Sequence, residues 1–112
     1  MFWDKKRYEV KAKGGKISFN TVGMRGCAEH LIIRPESNDT SYDVLMIDKD
    51  GDIIYERHNL KGRLDDKEGL PLGKDDQEKL TITLSNISKN ETFVIIFRIR
   101  EMTWLGKYLI HY

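Results

Sequence analysis

Leu80-Thr81-Ile82-Thr83-Leu84-Ser85, followed after a polar turn by Phe93-Val94-Ile95-Ile96-Phe97-Arg98-Ile99-Arg100, is the stretch that decides the fold. In its first half Leu80, Ile82 and Leu84 alternate with Thr81, Thr83 and Ser85. That period of two marks a strand with one face in a core. In its second half Phe93, Ile95, Phe97 and Ile99 form one face of a longer strand, with Val94 and Ile96, then Arg98 and Arg100, on the other. Residues 86–91 read as a hairpin turn, which would make the two apolar rows cross-strand neighbours in one sheet.

The same period recurs upstream. Tyr8, Val10 and Ala12 alternate with charged residues, Gly14-Gly15 reads as a hairpin turn, and Ile17 and Phe19 continue on the return strand. Gly23 and Gly26 read as breaks, and residues 30–34 as a short apolar run stopped by Pro35. Residues 42–47 are apolar on both faces after Asp43, as expected of a strand buried between two layers. Asp48-Lys49-Asp50-Gly51 suits a type I turn with glycine in the left-handed position, and Ile53, Ile54 and Tyr55 return from it. Residues 58–78 are charged and punctuated by Gly62, Gly69, Pro71 and Gly73. They read as a long loop with short strands at 62–64 and 70–72, pinned by Leu60, Leu64, Leu70 and Leu72. A final strand is expected at 107–111. The sum is an all-β chain of about eight strands, an antiparallel β-sandwich of jelly-roll type, in one domain over residues 1–112.

Composition narrows the function classes. The 112 residues are 39% hydrophobic and 33% charged, with nineteen Lys and Arg against eighteen Asp and Glu. A net charge of +1 supplies no general field for nucleic acid or an anionic membrane, so neither is an expected partner. Cys27 is the one cysteine and reads as a small buried or half-buried thiol. The first ten residues are charged and aromatic, without the apolar run of a signal peptide, which places synthesis in a reducing cytoplasm. The triplets at Asn38, Asn86 and Asn90 then read as turn residues and not as glycan acceptors.

Candidate chemistry is sparse. Asp48, Asp50 and Asp52 begin like a calcium loop, but Ile53 and Asn59 stand where its glycine and bidentate glutamate belong. His30, His58 and His111 have no second ligand at metal spacing. The pairs Asp65-Asp66 and Asp75-Asp76 read as solvated loop carboxylates. The expectation is therefore no catalytic residue, no cofactor and no metal. What remains is aromatic: Phe2 and Trp3 near one terminus, and Trp104, Tyr108 and Tyr112 near the other, are the candidate docking residues. Arg98 and Arg100 form a small outward basic stripe, and Met24-Arg25-Gly26 a bend that could serve recognition.

The run Tyr42-Asp43-Val44, Asp50-Gly51-Asp52-Ile53-Ile54-Tyr55-Glu56-Arg57, Gly62, Leu70-Pro71-Leu72 and Leu80-Thr81-Ile82-Thr83-Leu84-Ser85-Asn86 resembles small β-sandwich virion proteins of tailed bacteriophages. Those proteins decorate capsids or join tail parts. The resemblance covers roughly residues 17–101 and rests on structural motifs. It implies a non-enzymatic virion protein, made in the host cytoplasm, that docks on other virion proteins or on copies of itself. The strand order is also similar to accessory sandwich domains of secreted peptidases and glycan-binding proteins, which implies a glycan- or ligand-binding module as the alternative. The charged segment 61–78 departs from both patterns.

Overall fold

The computed structural model describes residues 2–21, 26–67, 70–73 and 79–101. Nine strands and no helix run through them. They are β1 (Phe2–Lys11), β2 (Ile17–Asn20), β3 (Gly26–Pro35), β4 (Ser41–Ile47), β5 (Ile53–Lys61), β6 (Leu64–Asp66), β7 (Leu70–Gly73), β8 (Thr81–Ser85) and β9 (Thr92–Glu101). One sheet has the order β1-β9-β3-β6, with β7 also paired to β3; the other has the order β2-β8-β4-β5. Every pairing is antiparallel. The chain is an antiparallel β-sandwich. The strand expected at 107–111 lies outside the described residues.

The core lies between the sheets. Phe93, Ile95, Phe97 and Ile99 of β9 are buried in it with Leu31 and Ile33 of β3. From the other sheet come Ile82 and Leu84 of β8, Tyr42, Val44 and Met46 of β4, and Ile17 of β2. Leu80, just ahead of β8, joins them. Edge-to-face aromatic packing adds direction: Tyr42 meets Phe93 at 5.3 Å between centroids and Tyr8 meets Phe97 at 6.3 Å.

Two expected hairpins are crossings between sheets. β8 and β9 do not pair; β8 lies between β2 and β4, and β9 between β1 and β3. The row Leu80, Ile82, Leu84 therefore meets Phe93, Ile95, Phe97 across the core and not along a sheet. Likewise Gly14 and Gly15, at φ 61° and 72°, make the tight turn, with Lys13 and Lys16 bridged across it. Beyond that bridge β1 joins one sheet and β2 the other. Period two fixes which face is apolar but not which neighbour supplies the ladder, so both errors have one cause.

Three further readings change. Gly26 opens the ten-residue β3 instead of breaking the chain, and Pro35 is its last residue. β4 buries only one face: Tyr42, Val44 and Met46 are buried, whereas Leu45 and Ile47 are half-covered. In the segment read as a long loop from 58 onward, the short strand expected at 70–72 is β7, but most of the other described residues are also sheet. β5 continues to Lys61, and β6 and β7 form an edge against β3.

The turn at Asp48 is as expected, with Gly51 at φ 86° and its amide donating to the Asp48 carbonyl at 3.1 Å. The amides of Asp50 and Asp52 donate to the Asp48 carboxylate, each at 2.9 Å. The asparagines act as turn residues: Asn86 has φ 51°, and the Asn90 side chain accepts from the Gly15 amide at 2.8 Å.

Candidate functional site

Phe2 and Trp3 are ladder residues of β1, opposite Glu101 and Arg100 of β9. The first residues of the ladder and the last described residues thus lie side by side at one end of the five-stranded sheet. Trp104, Tyr108 and Tyr112 lie outside the described residues, as do Met24, Arg25, Asp75, Asp76 and His111. Cys27 lies in β3, registered opposite Arg100 and Pro71.

The described titratable groups form local structural knots. Asp65 and Asp66 belong to β6 and face opposite ways, which corrects their reading as solvated loop carboxylates. Asp65 meets His30 on the outer face, and that hydrogen bond holds its carboxyl below the usual range. Asp66 turns inward, where it accepts from the Tyr55 hydroxyl at 2.5 Å and has Arg57 at 3.6 Å. Arg57 stacks 4.5 Å over the Tyr55 ring. Tyr55 comes from the opposite sheet, so this group closes the open side of the sandwich between β5 and β6.

Asp43 organises a second knot. Its carboxylate accepts from the Asn59 amide at 2.8 Å and from the Asn86 side chain at 2.6 Å, and these bonds hold its carboxyl low. Asn59 and Asn86 are the two described non-glycine residues with positive φ. One carboxylate therefore fixes both left-handed positions. His58 lies between Asp43, at 3.7 Å, and Glu56, at 3.2 Å, and is 59% exposed.

Glu91 ties a third knot. It accepts from the Thr40 hydroxyl and from the Ser37 amide and hydroxyl, which hold its carboxyl below the ordinary range. Among the described residues no three His, Cys, Asp or Glu are placed to hold a metal ion.

The outer faces carry the organised charge. On the five-stranded sheet Lys5, Arg98 and His30 form one cross-strand row; Arg7, Ile96, Ile32 and Asp65 the next; Glu9, Val94 and Arg34 the third. Lys11 and Thr92 follow. Lys5, Arg7, Lys11, Arg34 and Arg98 are all exposed. The basic stripe read at Arg98 is thus one column of a grid spread over three strands. Sequence spacing cannot find the other columns, because Lys5 and Arg34 reach Arg98 only through register. Ile32 and Ile96 are 5% and 6% exposed although they face outward.

The outer face of the four-stranded sheet differs in kind. Ser18 and Asn20 of β2 bond to Thr83 and Thr81 of β8 at 3.3 and 2.8 Å. Thr83 and Thr81 stand beside Leu45 and Ile47 of β4, which stand beside Glu56 and Ile53 of β5. Ile53 is 57% exposed and is the one exposed large hydrophobic among the described residues. No family model, curated protein or solved structure matches the chain.

Proposed function

We propose that the chain is a non-enzymatic assembly protein that acts by docking. Its proposed setting is a virus particle, as a capsid decoration or other virion accessory protein, made in the host cytoplasm. The observation that carries the docking reading is the pairing of Phe2 with Glu101 and Trp3 with Arg100. It brings the start of β1 to the place from which the chain continues toward Trp104, Tyr108 and Tyr112. Phe2 and Trp3 at one end of a rigid body suit an anchor with a polar rim.

The charged knots support the same reading, because each is satisfied within the fold. Catalysis needs groups held together with tuned acidities and open to a substrate. Asp43, Asp66 and Glu91 instead accept bonds that hold backbone and sheet edges in place.

The test is the double substitution Trp3→Ala with Trp104→Ala, which keeps the β1–β9 ladder intact. The variant should keep its far-UV circular dichroism and lose copurification with the particle. Normal incorporation would overturn the terminal-anchor reading, and outright unfolding would assign both tryptophans to the core.

A further inference from the structure

We propose that the two outer faces are complementary halves of a contact between copies of this chain, the basic face of the five-stranded sheet against the acidic and apolar face of the four-stranded sheet. This deepens the assembly reading and rests on it. The argument begins with segregation. The chain has nineteen basic and eighteen acidic residues, so a well-mixed surface would alternate them. On the five-stranded sheet, however, Lys5, Arg7, Lys11, Arg34 and Arg98 share the outer face, among the described residues, with the carboxylates of Glu9 and Asp65 alone, and half-buried Glu29 stands at the bulge on its margin. Arg7 bonds to Glu9 at 3.3 Å and Asp65 to His30, which leaves Lys11, Arg34 and Arg98 without an ion pair among the described residues.

The opposite face carries the other sign. From Asn20 and Thr81 across to Ile53 and Glu56 it holds no Lys or Arg, and Lys61 stands at its far end, opposite Ser41. Asp43 and Glu56 lie on it, and Asp48, Asp50 and Asp52 line the β4–β5 turn at its margin around Lys49. Its centre is apolar, with Leu45, Ile47 and exposed Ile53 together. On the basic face Ile96 and Ile32 are already covered, and half-buried Val94 is the apolar side chain left at its centre. Stacking front to back sets acid against base. Stacking like faces sets acid against acid or base against base, and like charges across an interface are strongly disfavoured. A second copy fits this chemistry better than nucleic acid, because the basic face includes the carboxylates Glu9 and Asp65 and its outward centre is the apolar row at Val94, Ile96 and Ile32.

Geometry sets the strength. The grid from Lys5 to Lys11 is about 20 Å long and its four strands about 14 Å wide. That footprint is roughly 300 Å² per copy, well under the roughly 800 Å² per partner of a stable interface. A single contact is therefore weak. It is also heterologous, so it repeats from copy to copy and gains strength in an array.

The experiment is sedimentation equilibrium of the full chain at high concentration, in about 0.01 M and about 1 M salt, where the screening length falls from roughly 30 Å to 3 Å. Average mass should exceed the monomer's at low salt and return to it at high salt. Arg34→Glu with Arg98→Glu should weaken association about tenfold or more, and so should Asp50→Lys with Glu56→Lys. An equimolar mixture of the two variants should associate again, because each supplies the sign the other lost. A wild-type chain that is monomeric at low salt, variants that associate like wild type, or a mixture that stays monomeric would each overturn the contact. Loss of particle incorporation on tryptophan substitution would still stand in those cases, so the two readings fail separately.

Discussion

Replacing Gly62 by alanine tests whether a single close approach holds the loop end of the sandwich. Gly62 has φ +70°, and a Cβ there would stand 2.5 Å from the Asn38 carbonyl oxygen, well inside contact. Its amide donates to the Thr40 carbonyl at 2.9 Å, and its own carbonyl accepts from the buried Tyr42 hydroxyl at 2.7 Å. Burial pushes the Tyr42 phenol up to about 12, so it remains a donor over the working range. An alanine in the left-handed region costs about 1–2 kcal/mol. Moving the Asn38 backbone aside endangers the bond from the Gly62 amide, at about 0.5–1.5 kcal/mol, and leaves the buried Tyr42 hydroxyl without its acceptor, at about 1–3 kcal/mol. The total is about 2.5–6.5 kcal/mol. Gly14→Ala is the control: φ is +61°, but nothing lies within 4 Å of the added Cβ, so only the conformational cost of about 1–2 kcal/mol applies. At a urea slope of about 1–3 kcal/mol/M, the two midpoints should differ by about 1–2 M. Coincident midpoints in urea titrations followed by circular dichroism would refute the argument, because they would show that the 38–40 loop yields freely.

Phe97→Ala should lower stability by about 3–5 kcal/mol, since Phe97 is fully buried and meets Tyr8 edge-on. A denaturant midpoint close to wild type would place that row outside the core. Glu91→Gln should lower the melting temperature at neutral pH, because one carboxylate oxygen becomes a donor facing the donors of Ser37 and Thr40. Glu91's folded acidity is shifted down from 4.5 by the Thr40 hydrogen bond, so its stabilisation is present above that value and is lost as pH falls through the lower folded one. The gap between wild type and variant should therefore close on acidification; a gap that persists at pH 2 would show that the charge is not what Glu91 contributes.

Periodicity made the class of fold legible, and register hid the rest. Alternation at Leu80–Leu84 and Phe93–Ile99 names the buried face correctly, because a side chain's face depends only on local parity. Which sheet each strand joins depends on the chain path through 86–91 and 12–16, and the Gly14-Gly15 turn looks the same whether its strands pair or part. The segment after His58 was obscured for another reason. β6 is three residues long, and its Asp65-Asp66 pair looks solvated until β3 supplies His30 and β5 supplies Tyr55. The candidate docking residues at the N-terminus were legible as aromatics at a chain end, but not as a paired edge strand. The basic grid was legible only at Arg98, for its other columns come from strands about sixty and ninety residues away in sequence and about 5 Å away in space.

The two ends of the sandwich divide stability from association. At one end the connections 12–16, 36–40, 61–63 and 86–91 are tied to one another. Ala12 donates to Glu91, Gly15 to Asn90, Ile87 to Gly15, Ser88 to Ser41, and Lys89 to Asp39. Such cross-links between segments distant in sequence form only when both sheets are in place, so damage there is felt by the whole fold. At the other end β1 begins beside the last residues of β9, and β4 turns into β5 through the acidic loop. The side chains assigned to association, Arg34, Arg98, Asp50 and Glu56, are exposed and take no part in the ties at the first end. Substitutions at Gly62 or Glu91 should therefore move melting with little effect on self-association of the folded chain, whereas charge reversals at Arg34 and Arg98 should do the opposite. The separation follows from placement alone. A core that closes on itself at one end leaves its faces and its other end free to be shaped by what they meet.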